Sequence, residues 1–527
     1  MARLCLGMLL LLSGWVHGQQ PNMIFVLVDD LRFDGMGFVN PVLQTPNIDR
    51  LAQGGTYFPN AVVATSLCSP SRATILTGQS TRNHRIVDNN DASEDHLTFF
   101  PSYLKQAGYA TAFIGKWHMG RANDEPRPGF DHWVSFKGQG FYYPTDRIPA
   151  QMVAQGVRHQ LNVDGQAVAQ TGYITDELTD YALRWLDQQQ ADEAPFFLYL
   201  SHKAVHSDAN PAPRHQGQYA NVDIPLPNPD ADAQAPGAGK PMWVHNQRNS
   251  WHGVEFAYHR GAEFADYVKQ YYATLSAVDD SIGRLLAWLD THDEIDNTVI
   301  VFYSDNGFLF GDHGLIDKRN AYEASVRVPM LVYGPGQVAA GKTHPARVRN
   351  LDLAPTFLSL AGARVPEYME GASAAGLFAV DSETVWQGGD FVYEYYWEWT
   401  FPQTPTTFAI TRDEIKYIQY HGLWDLEELY DLRKDPNEQV NLILDERYRN
   451  QLIDLRAALY AALRNNQGQT VVPFTRKHAQ GLRFRRADGS TAAPFPDSFV
   501  KEPGSEGLFE GFMPPARIPQ KTDPVPD

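Results

Sequence analysis

The sequence predicts an α/β fold with a mostly parallel sheet between helices, followed by a smaller α+β region with an antiparallel sheet. Apolar runs rich in Val, Ile, Phe and Tyr, typical of strands buried on both faces, occur at 23–28, 110–115, 196–200 and 298–303. Between the last two runs, apolar residues recur at helical spacing from Val268 to Leu289. Beyond residue 390, short segments alternate apolar and polar residues like antiparallel strands, and an amphipathic helix follows at about 444–465.

The first element in chain order is an export signal. Arg3 precedes an apolar run over 4–12, and the small residue Gly18 suits cleavage, so we predict a signal peptide at 1–18. No later apolar run reaches the length that crosses a bilayer, which predicts no membrane span. We therefore expect an exported protein, periplasmic or extracellular. The lack of an Asn-x-Ser/Thr sequon favours a bacterial source.

The rest of the chain divides into three predicted parts. A large domain with alternating strands and helices covers 19–375, and such domains bind ligands at the carboxyl ends of their strands. Within it, 207–250 is rich in Pro, Asn, Asp, Gln and Gly, which predicts a long loop rather than a core element. A C-terminal α+β subdomain covers 376–470. The Pro- and charge-rich tail, 471–527, is predicted to be wrapped or mobile.

The overall charge restricts the partners of the protein. Lys and Arg number 44 against 62 Asp and Glu, which gives a formal net charge of −18. Such a field repels nucleic acid and other polyanions at long range, so we expect no nucleic-acid partner. An anionic substrate would need a local cluster of basic residues to override that field.

Oxygen-bearing side chains follow two of the buried strands. Asp29 and Asp30 come directly after the first strand, and Asp305 and Asn306 follow the last one. One such pair alone would be interpreted as a helix N-cap. Because the carboxyl ends of parallel strands meet at one rim, two pairs favour a shared site for calcium or magnesium. No thiolate or His cluster indicates zinc.

Basic side chains follow the other predicted strands. Lys116 and His118 come after the strand at 110–115, His202 and His206 follow the strand at 196–200, and Lys318 lies in a later loop. Each alone would be an ordinary surface or satisfied residue. Together at one sheet edge, they suit the binding of a negatively charged group with several oxygens.

Once the signal peptide is removed, Cys68 is the last cysteine, so no internal disulfide can form. It is either a buried structural residue or a chemically special thiol. It opens the segment CSPSR, in which Pro70 fixes a turn and Arg72 adds a charge, and a helix is predicted to begin there. A helix N-terminus predicts a lowered thiol pKa. A thiolate nucleophile is one interpretation, although it would fit poorly beside an oxygen-binding metal.

These motifs resemble the type I sulfatases, members of the alkaline-phosphatase-like superfamily. CSPSR (68–72) followed by LTG (76–78) matches their Cys-x-Pro-x-Arg signature with its downstream Leu-Thr-Gly. The resemblance extends from NMIFVLVDD to LYDLRKDPNEQVNL and leaves out the tail after about 470. It implies an alkaline-phosphatase-like catalytic domain over 19–375 and a sulfatase, a sulfuric ester hydrolase, that acts on sulfated polysaccharides or oligosaccharides.

The resemblance also implies the cofactors and the site residues. A formylglycine-generating enzyme would convert Cys68 to formylglycine (3-oxoalanine) during maturation, and one calcium ion would be bound per chain. The implied roles are calcium ligation by Asp29, Asp30, Cys68, Asp305 and Asn306, sulfate neutralisation by Arg72, Lys116 and Lys318, support of the formylglycine hydrate by His118, and protonation of the leaving oxygen by His206. Many relatives have Pro-His-x-Pro where this chain has VHSD (205–208), so the wall beside His206 differs.

The substrate is indicated less directly. The segment 392–406 is dense in aromatic residues and carries two acids, which suits sugar rings and hydroxyls; the alternative is a hydrophobic domain interface. Its pattern resembles polysaccharide sulfatases of the N-acetylglucosamine-6-sulfatase type. Two other functions remain open: a phosphodiesterase or phosphonate monoester hydrolase of the same superfamily, and a non-catalytic glycan-binding relative. The intact signature and both acidic pairs argue against the glycan binder.

Overall fold

The computed structural model describes residues 20–464 apart from short gaps at 90–96, 121–122, 155, 191–193, 229–230, 248–262, 381, 383 and 399–400. The predicted signal peptide and the predicted tail, 471–527, lie outside the described residues. The strands, in chain order, are β1 (Asn22–Val28), β2 (Gly55–Tyr57), β3 (Ala110–Gly115), β4 (His132–Ser135), β5 (Gln160–Val163), β6 (Gln166–Ala169), β7 (Phe196–Ser201), β8 (Thr298–Ser304), β9 (Leu309–Phe310), β10 (Ile316–Asp317), β11 (Met330–Tyr333), β12 (Lys342–Thr343), β13 (Phe391–Tyr395), β14 (Thr407–Arg412), β15 (Ile415–Tyr420) and β16 (Glu428–Asp431).

The described helices lie between these strands and after them. They are α1 (Pro46–Gly54), α2 (Cys68–Thr77), α3 (Thr81–His84), α4 (Pro101–Gln106), α5 (Ala150–Ala154), α6 (Ile174–Gln189), α7 (Ala231–Gln234), α8 (Met242–Gln247), α9 (Phe264–Thr291), α10 (Glu323–Val326), α11 (Leu353–Leu360) and α12 (Arg449–Arg464). No described helix is long and apolar enough to cross a membrane.

A ten-stranded sheet forms the large part of the molecule, in the order β12-β2-β11-β8-β1-β7-β3-β4-β5-β6. The strands from β8 to β4 run parallel, and strands near both edges are antiparallel to their neighbours. The four buried strands predicted from apolar runs are confirmed as β1, β3, β7 and β8, and they are neighbours in this sheet. The predicted α/β fold class is therefore confirmed.

Successive side chains of β1 enter two different cores. Ile24, Val26 and Val28 pack on the face covered by α6 and α9, whereas Met23 and Phe25 pack with residues of α2 and α11 on the other face. Side chains of a strand alternate between its faces, so a strand covered on both sides has to be apolar at every position. The uninterrupted apolar run is explained by this double coverage.

The C-terminal region is a separate four-stranded antiparallel sheet in the order β13-β14-β15-β16. One of its faces packs against α12, which begins at Arg449 after a short 3-10 turn, Glu446–Tyr448. The predicted helix at 444–465 therefore starts a few residues too early. The division at 376 remains a prediction, although the sheet and α12 fall inside the predicted 376–470 region.

The other face of the small sheet joins the large domain through buried hydrogen bonds and through the ion pairs Lys416–Glu323 and Lys240–Glu428. In β15, the Lys416 ammonium donates to the Ala321 carbonyl and to Glu438 Oε1, both at 2.8 Å. Glu438 Oε2 accepts a hydrogen bond of 2.6 Å from the Glu323 amide. Ala321 and Glu323 lie in the segment that begins at Lys318, so the C-terminal region holds the segment that carries this lysine.

The stretch 207–250 contains more structure than the sequence predicts. It includes the short helices α7 and α8, and α8 buries Trp243 against Tyr420 of the small sheet, with 4.9 Å between the ring centroids. The expectation that this stretch holds no core element is wrong, because Trp243 and Val244 belong to the buried apolar cluster that the small sheet forms with the segment 309–326.

Candidate active site

The order of the central strands brings the predicted site residues to one sheet edge. β8, β1, β7 and β3 are consecutive and parallel, so the segments that follow them leave the sheet side by side. Gly115 ends β3 at a φ of 127°, where a Cβ atom would lie 1.8 Å from the Ser201 carbonyl oxygen. Only glycine allows β3 to approach β7 this closely, and Lys116 leaves the sheet from that point.

Three carboxylates form a buried cluster at this edge. Asp29, Asp30 and Asp305 are almost completely buried, and one oxygen of each lies within 4.8 Å of the others. The Asp30 amide donates to Asp305 Oδ1 at 3.0 Å, and Asn306 Nδ2 donates to Asp30 Oδ1 at 2.6 Å. Asn306 Oδ1 is buried and accepts no hydrogen bond from the residues that the structure describes. An orphaned buried oxygen beside three carboxylates is what a hard cation would satisfy.

Cys68 lies against this cluster as the first residue of α2. The chain is extended at Leu67, and α2 ends at Gly78, whose left-handed φ of 65° lets it cap the helix. The Sγ atom lies 3.0 Å from Lys318 Nζ and 3.6 Å from Asp29 Oδ1. Burial raises the pKa of the thiol to about 12. The prediction of a lowered thiol pKa is therefore wrong, because loss of hydration outweighs the nearby charges.

The two site lysines are paired with the first acidic pair. The Lys116 ammonium donates to Asp29, and the Lys318 ammonium donates to Asp30. Although burial opposes it, Lys116 holds the pKa of Asp29 well below its usual range, whereas burial raises the pKa of Asp30. Both cations are thus directed at the point where Cys68 meets the carboxylates.

Arg72 supplies the third cation of the site. Its Nε donates to Asp305 Oδ2 at 2.9 Å, and its Nη1 donates to the Lys116 carbonyl and to Ser201 Oγ, both at 2.7 Å. Burial raises the pKa of Asp305 to about 7, and the charge of Asp29 adds to this rise. The guanidinium is therefore fixed on one turn of α2 above the sheet edge, paired closely with Asp305 and, at 3.8 Å, with Asp29.

The two histidines that follow β7 have different surroundings. His206 Nε2 lies 3.8 Å from Asp30 Oδ2, and its Nδ1 lies 2.7 Å from the Ser207 carbonyl. His202 is fully buried and lies 3.2 Å from Ser281 Oγ of α9. The structure therefore brings His206 to the acidic cluster and directs His202 into the packing between sheet and helix.

His118 lies in the turn after β3 with a left-handed φ of 53°. Its carbonyl accepts a hydrogen bond from Ser69 Oγ, which ties this turn to the start of α2 beside Cys68. Its Nδ1 is buried and has no hydrogen-bond partner among the described residues. Burial, together with Lys116, lowers the pKa of the ring, so it is neutral.

Sequence reasoning missed one charged residue of this edge. Lys203 stands between the two named histidines, and its ammonium lies 4.6 Å from the ring centroid of Tyr142. Its place just after β7 could have indicated it, because every other strand end of the site carries a predicted site residue. Tyr142 comes from an irregular segment after β4 and carries no such signal.

The aromatic segment 392–406 forms an interface. Tyr393 and Tyr395 are buried among residues of the large domain. Glu394 is paired with Arg82, and Glu398 Oε1 accepts a hydrogen bond of 2.8 Å from Arg319 Nε. These carboxylates are engaged by the large domain, which favours the interface interpretation over a surface for sugar hydroxyls.

Two family models together match almost the whole described length of the chain. Residues 21–363 match the family described as Sulfatase, and residues 311–466 match the N-sulphoglucosamine sulphohydrolase C-terminal family. The chain is 32% identical to N-acetylglucosamine-6-O-sulfatase of Bacteroides thetaiotaomicron, over 80% of this chain and 83% of that protein. It is 28% identical to the human N-acetylglucosamine-6-sulfatase, over 83% of each. A solved structure in complex with its substrate, D-glucosamine-2-N,6-O-disulfate, is 29% identical with a TM-score of 0.74, covering 86% of this chain and 99% of that one.

Proposed function

Because the chain belongs to the sulfatase family, we propose that it removes the 6-O-sulfate of glucosamine units in sulfated oligosaccharides or polysaccharides. It is a type I sulfatase of the alkaline-phosphatase-like superfamily, a sulfuric ester hydrolase whose substrates are sulfated carbohydrates. The 6-position is supported by the names of two relatives and by the sugar bound in the similar structure. The main support for this proposal is that Cys68, three carboxylates and three cations lie together at one sheet edge.

The residues fit the calcium ion and the formylglycine that type I sulfatases use. Asp29, Asp30, Asp305 and the orphaned oxygen of Asn306 would hold one calcium ion, since all four offer oxygen ligands. Cys68 would carry the formylglycine and provide a further oxygen. When present, the two groups supply a positive charge for the sulfate oxygens and a nucleophilic hydroxyl.

The lysines would orient the sulfate group. In the structure, Lys116 and Lys318 donate to Asp29 and Asp30. With these carboxylates engaged as metal ligands, both ammonium groups are available to the sulfonyl oxygens, while Arg72 remains held by Asp305. Each such donor is worth about 3–4 kcal/mol of transition-state stabilisation in comparable sites.

His206 would protonate the departing sugar oxygen at its Nε2 atom. Burial, together with Lys116, lowers the pKa of His206, so its ring is neutral in the free site. A bound sulfate ester places a negative charge beside the ring and favours its protonated form. The side chain is 14% exposed, which leaves a path for the sugar to depart. His118, on the opposite turn, would support the formylglycine hydrate through its unpartnered nitrogen.

Maturation and location complete the proposal. We assign the protein to the bacterial periplasm or the cell exterior, and a formylglycine-generating enzyme would modify Cys68 on the way. The basis is the sequence of residues 1–18 together with the match to the bacterial relative.

A panel of defined sugars tests the proposed function. Free sulfate should be released from N-acetylglucosamine 6-sulfate and from glucosamine 2-N,6-O-disulfate, and not from 3-O-sulfated or 4-O-sulfated sugars. The Cys68→Ala variant is the matched control and should release none. Release from another position alone would overturn the assignment to the 6-position. Faster hydrolysis of a phosphonate monoester would identify a phosphonate monoester hydrolase instead.

A further inference from the structure

Lys203 is a buried cation without an anionic partner. It follows β7 directly, and only 4% of its surface is exposed. Its ammonium forms no hydrogen bond and no ion pair with a described residue, and its one specific contact is the ring face of Tyr142. A cation–π contact recovers only part of the free energy that burying an ammonium group requires.

The other buried lysines of the described chain show what is unusual here. Each of them has a carboxylate oxygen within 4.0 Å of its ammonium nitrogen. They are Lys116, Lys240, Lys318 and Lys416. Lys203 lacks one, although Asp29, Asp30 and Asp208 are near enough to influence its charge. Burial, together with the repulsion from Lys116, lowers its pKa to about 8, which reflects this missing partner.

The carboxylates of the reacting site are already paired with cations other than Lys203. Three carboxylates face three cations there, and they are Asp29, Asp30 and Asp305 with Arg72, Lys116 and Lys318. A fourth cation at the wall of this site has no structural anion to match. Lys203 is therefore suited to bind an anionic group of the ligand.

Lys203 stands beside His206, the residue proposed to protonate the leaving group. The His206 amide donates to the Lys203 carbonyl at 3.1 Å, and the Tyr142 hydroxyl donates to the His206 carbonyl at 2.7 Å. The three residues thus form one unit around His206, which meets the departing sugar. The sulfate-binding lysines surround Cys68 instead.

We propose that Lys203, supported by Tyr142, binds a second anionic group of the substrate, distinct from the sulfate that is removed. This inference rests on the proposed function. The group is an oxyanion on the leaving sugar, either an N-sulfate on the same glucosamine or a carboxylate on the adjoining uronate. Glucosamine 2-N,6-O-disulfate, the sugar bound in the similar structure, carries the first of these groups.

Three substrates separate the two sources of the anion. They are N-acetylglucosamine 6-sulfate, glucosamine 2-N,6-O-disulfate, and a disaccharide of a uronate with N-acetylglucosamine 6-sulfate. Lys203→Met should reduce kcat/KM by about 10- to 100-fold, mainly through KM, on the substrate whose anion it binds. The loss on the N-acetyl monosaccharide should be much smaller. Lys203→Arg should retain most of the preference for the charged substrate, and Lys434→Met, a change of an exposed lysine, should alter none of the three rates.

Binding measurements keep this test independent of catalysis. In the Cys68→Ala background, calorimetry should show that Lys203→Met weakens the binding of the charged sugar by a similar factor. A melting curve verifies that the variant is folded. An equal loss on all three sugars, or no loss on any, would overturn the role of Lys203. If the unaltered protein released no sulfate from any 6-O-sulfated sugar, the proposed function would fail, and the binding comparison would still decide the role of Lys203.

Discussion

Replacing His206 by alanine should slow the hydrolysis of a sugar sulfate far more than that of nitrophenyl sulfate. A sugar alkoxide is a poor leaving group and needs a proton as the bond to sulfur breaks, whereas nitrophenolate leaves without one. His206 Nε2 lies 3.8 Å from Asp30 of the acidic cluster, and the side chain is partly exposed to solvent. His202 lies in the core instead, where its ring is hydrogen-bonded to Ser281.

The expected magnitudes differ for the two histidines. Loss of a general acid lowers kcat by about 10²–10⁴ on the sugar sulfate and by less than about tenfold on the activated ester. Because His206 is partly exposed, the variant should keep nearly all of its stability. His202→Ala leaves a cavity beside α9 and should destabilise the fold by about 2–4 kcal/mol, with similar small losses on both esters.

The assay is steady-state kinetics of both variants on both esters, accompanied by denaturant unfolding. An equal loss on the two esters for His206→Ala would make it a sulfate-binding residue and refute its role as the acid. A selective loss for His202→Ala on the sugar sulfate would transfer that role to His202 and contradict the placement seen in the structure.

Three further predictions follow from the site and from its attachment to the small sheet. Mass analysis of active protein should show an aldehyde in place of the Cys68 thiol; full activity with an intact thiol would refute the mechanism. Chelation should abolish activity and lower the melting temperature, and added calcium should restore both. Asn306→Leu should weaken calcium binding as measured by calorimetry. Protein that holds stoichiometric zinc and no calcium would contradict the proposed site. Lys416→Met should cost about 3–5 kcal/mol in unfolding experiments because it leaves Glu438 buried without its cation. Lys434→Met, an exposed control, should leave the free energy of unfolding nearly unchanged, and equal effects of the two substitutions would refute the reasoning.

The strands could be predicted because their signal is local. The run at 110–115 is β3 residue for residue, since a strand covered on both faces carries only apolar or small residues. The meeting of the two acidic pairs also followed from a general rule, that parallel strands end at one edge. These predictions required no knowledge of which residues pack across the chain.

The contacts that loop side chains make could not be predicted in the same way. His202 and His206 are four residues apart, and the path of the turn between them decides which one reaches the acids. Cys68 is buried by segments that are distant in sequence, so the raised pKa of its thiol could not be inferred from neighbouring residues. The partners of Glu394 and Glu398 are equally distant, at Arg82 and Arg319.

The contacts between the C-terminal region and the segment after Lys318 have a consequence for the order of events during synthesis. Cys68 is completely enclosed in the folded protein, and one of the groups that enclose it is Lys318. The segment carrying Lys318 is held in place by Glu438, which leaves the ribosome 370 residues after Cys68. If Cys68 is converted to formylglycine as proposed, the modifying enzyme would have to reach the thiol before the C-terminal region closes over it, during synthesis or export. The late synthesis of that region would set how long the thiol remains accessible.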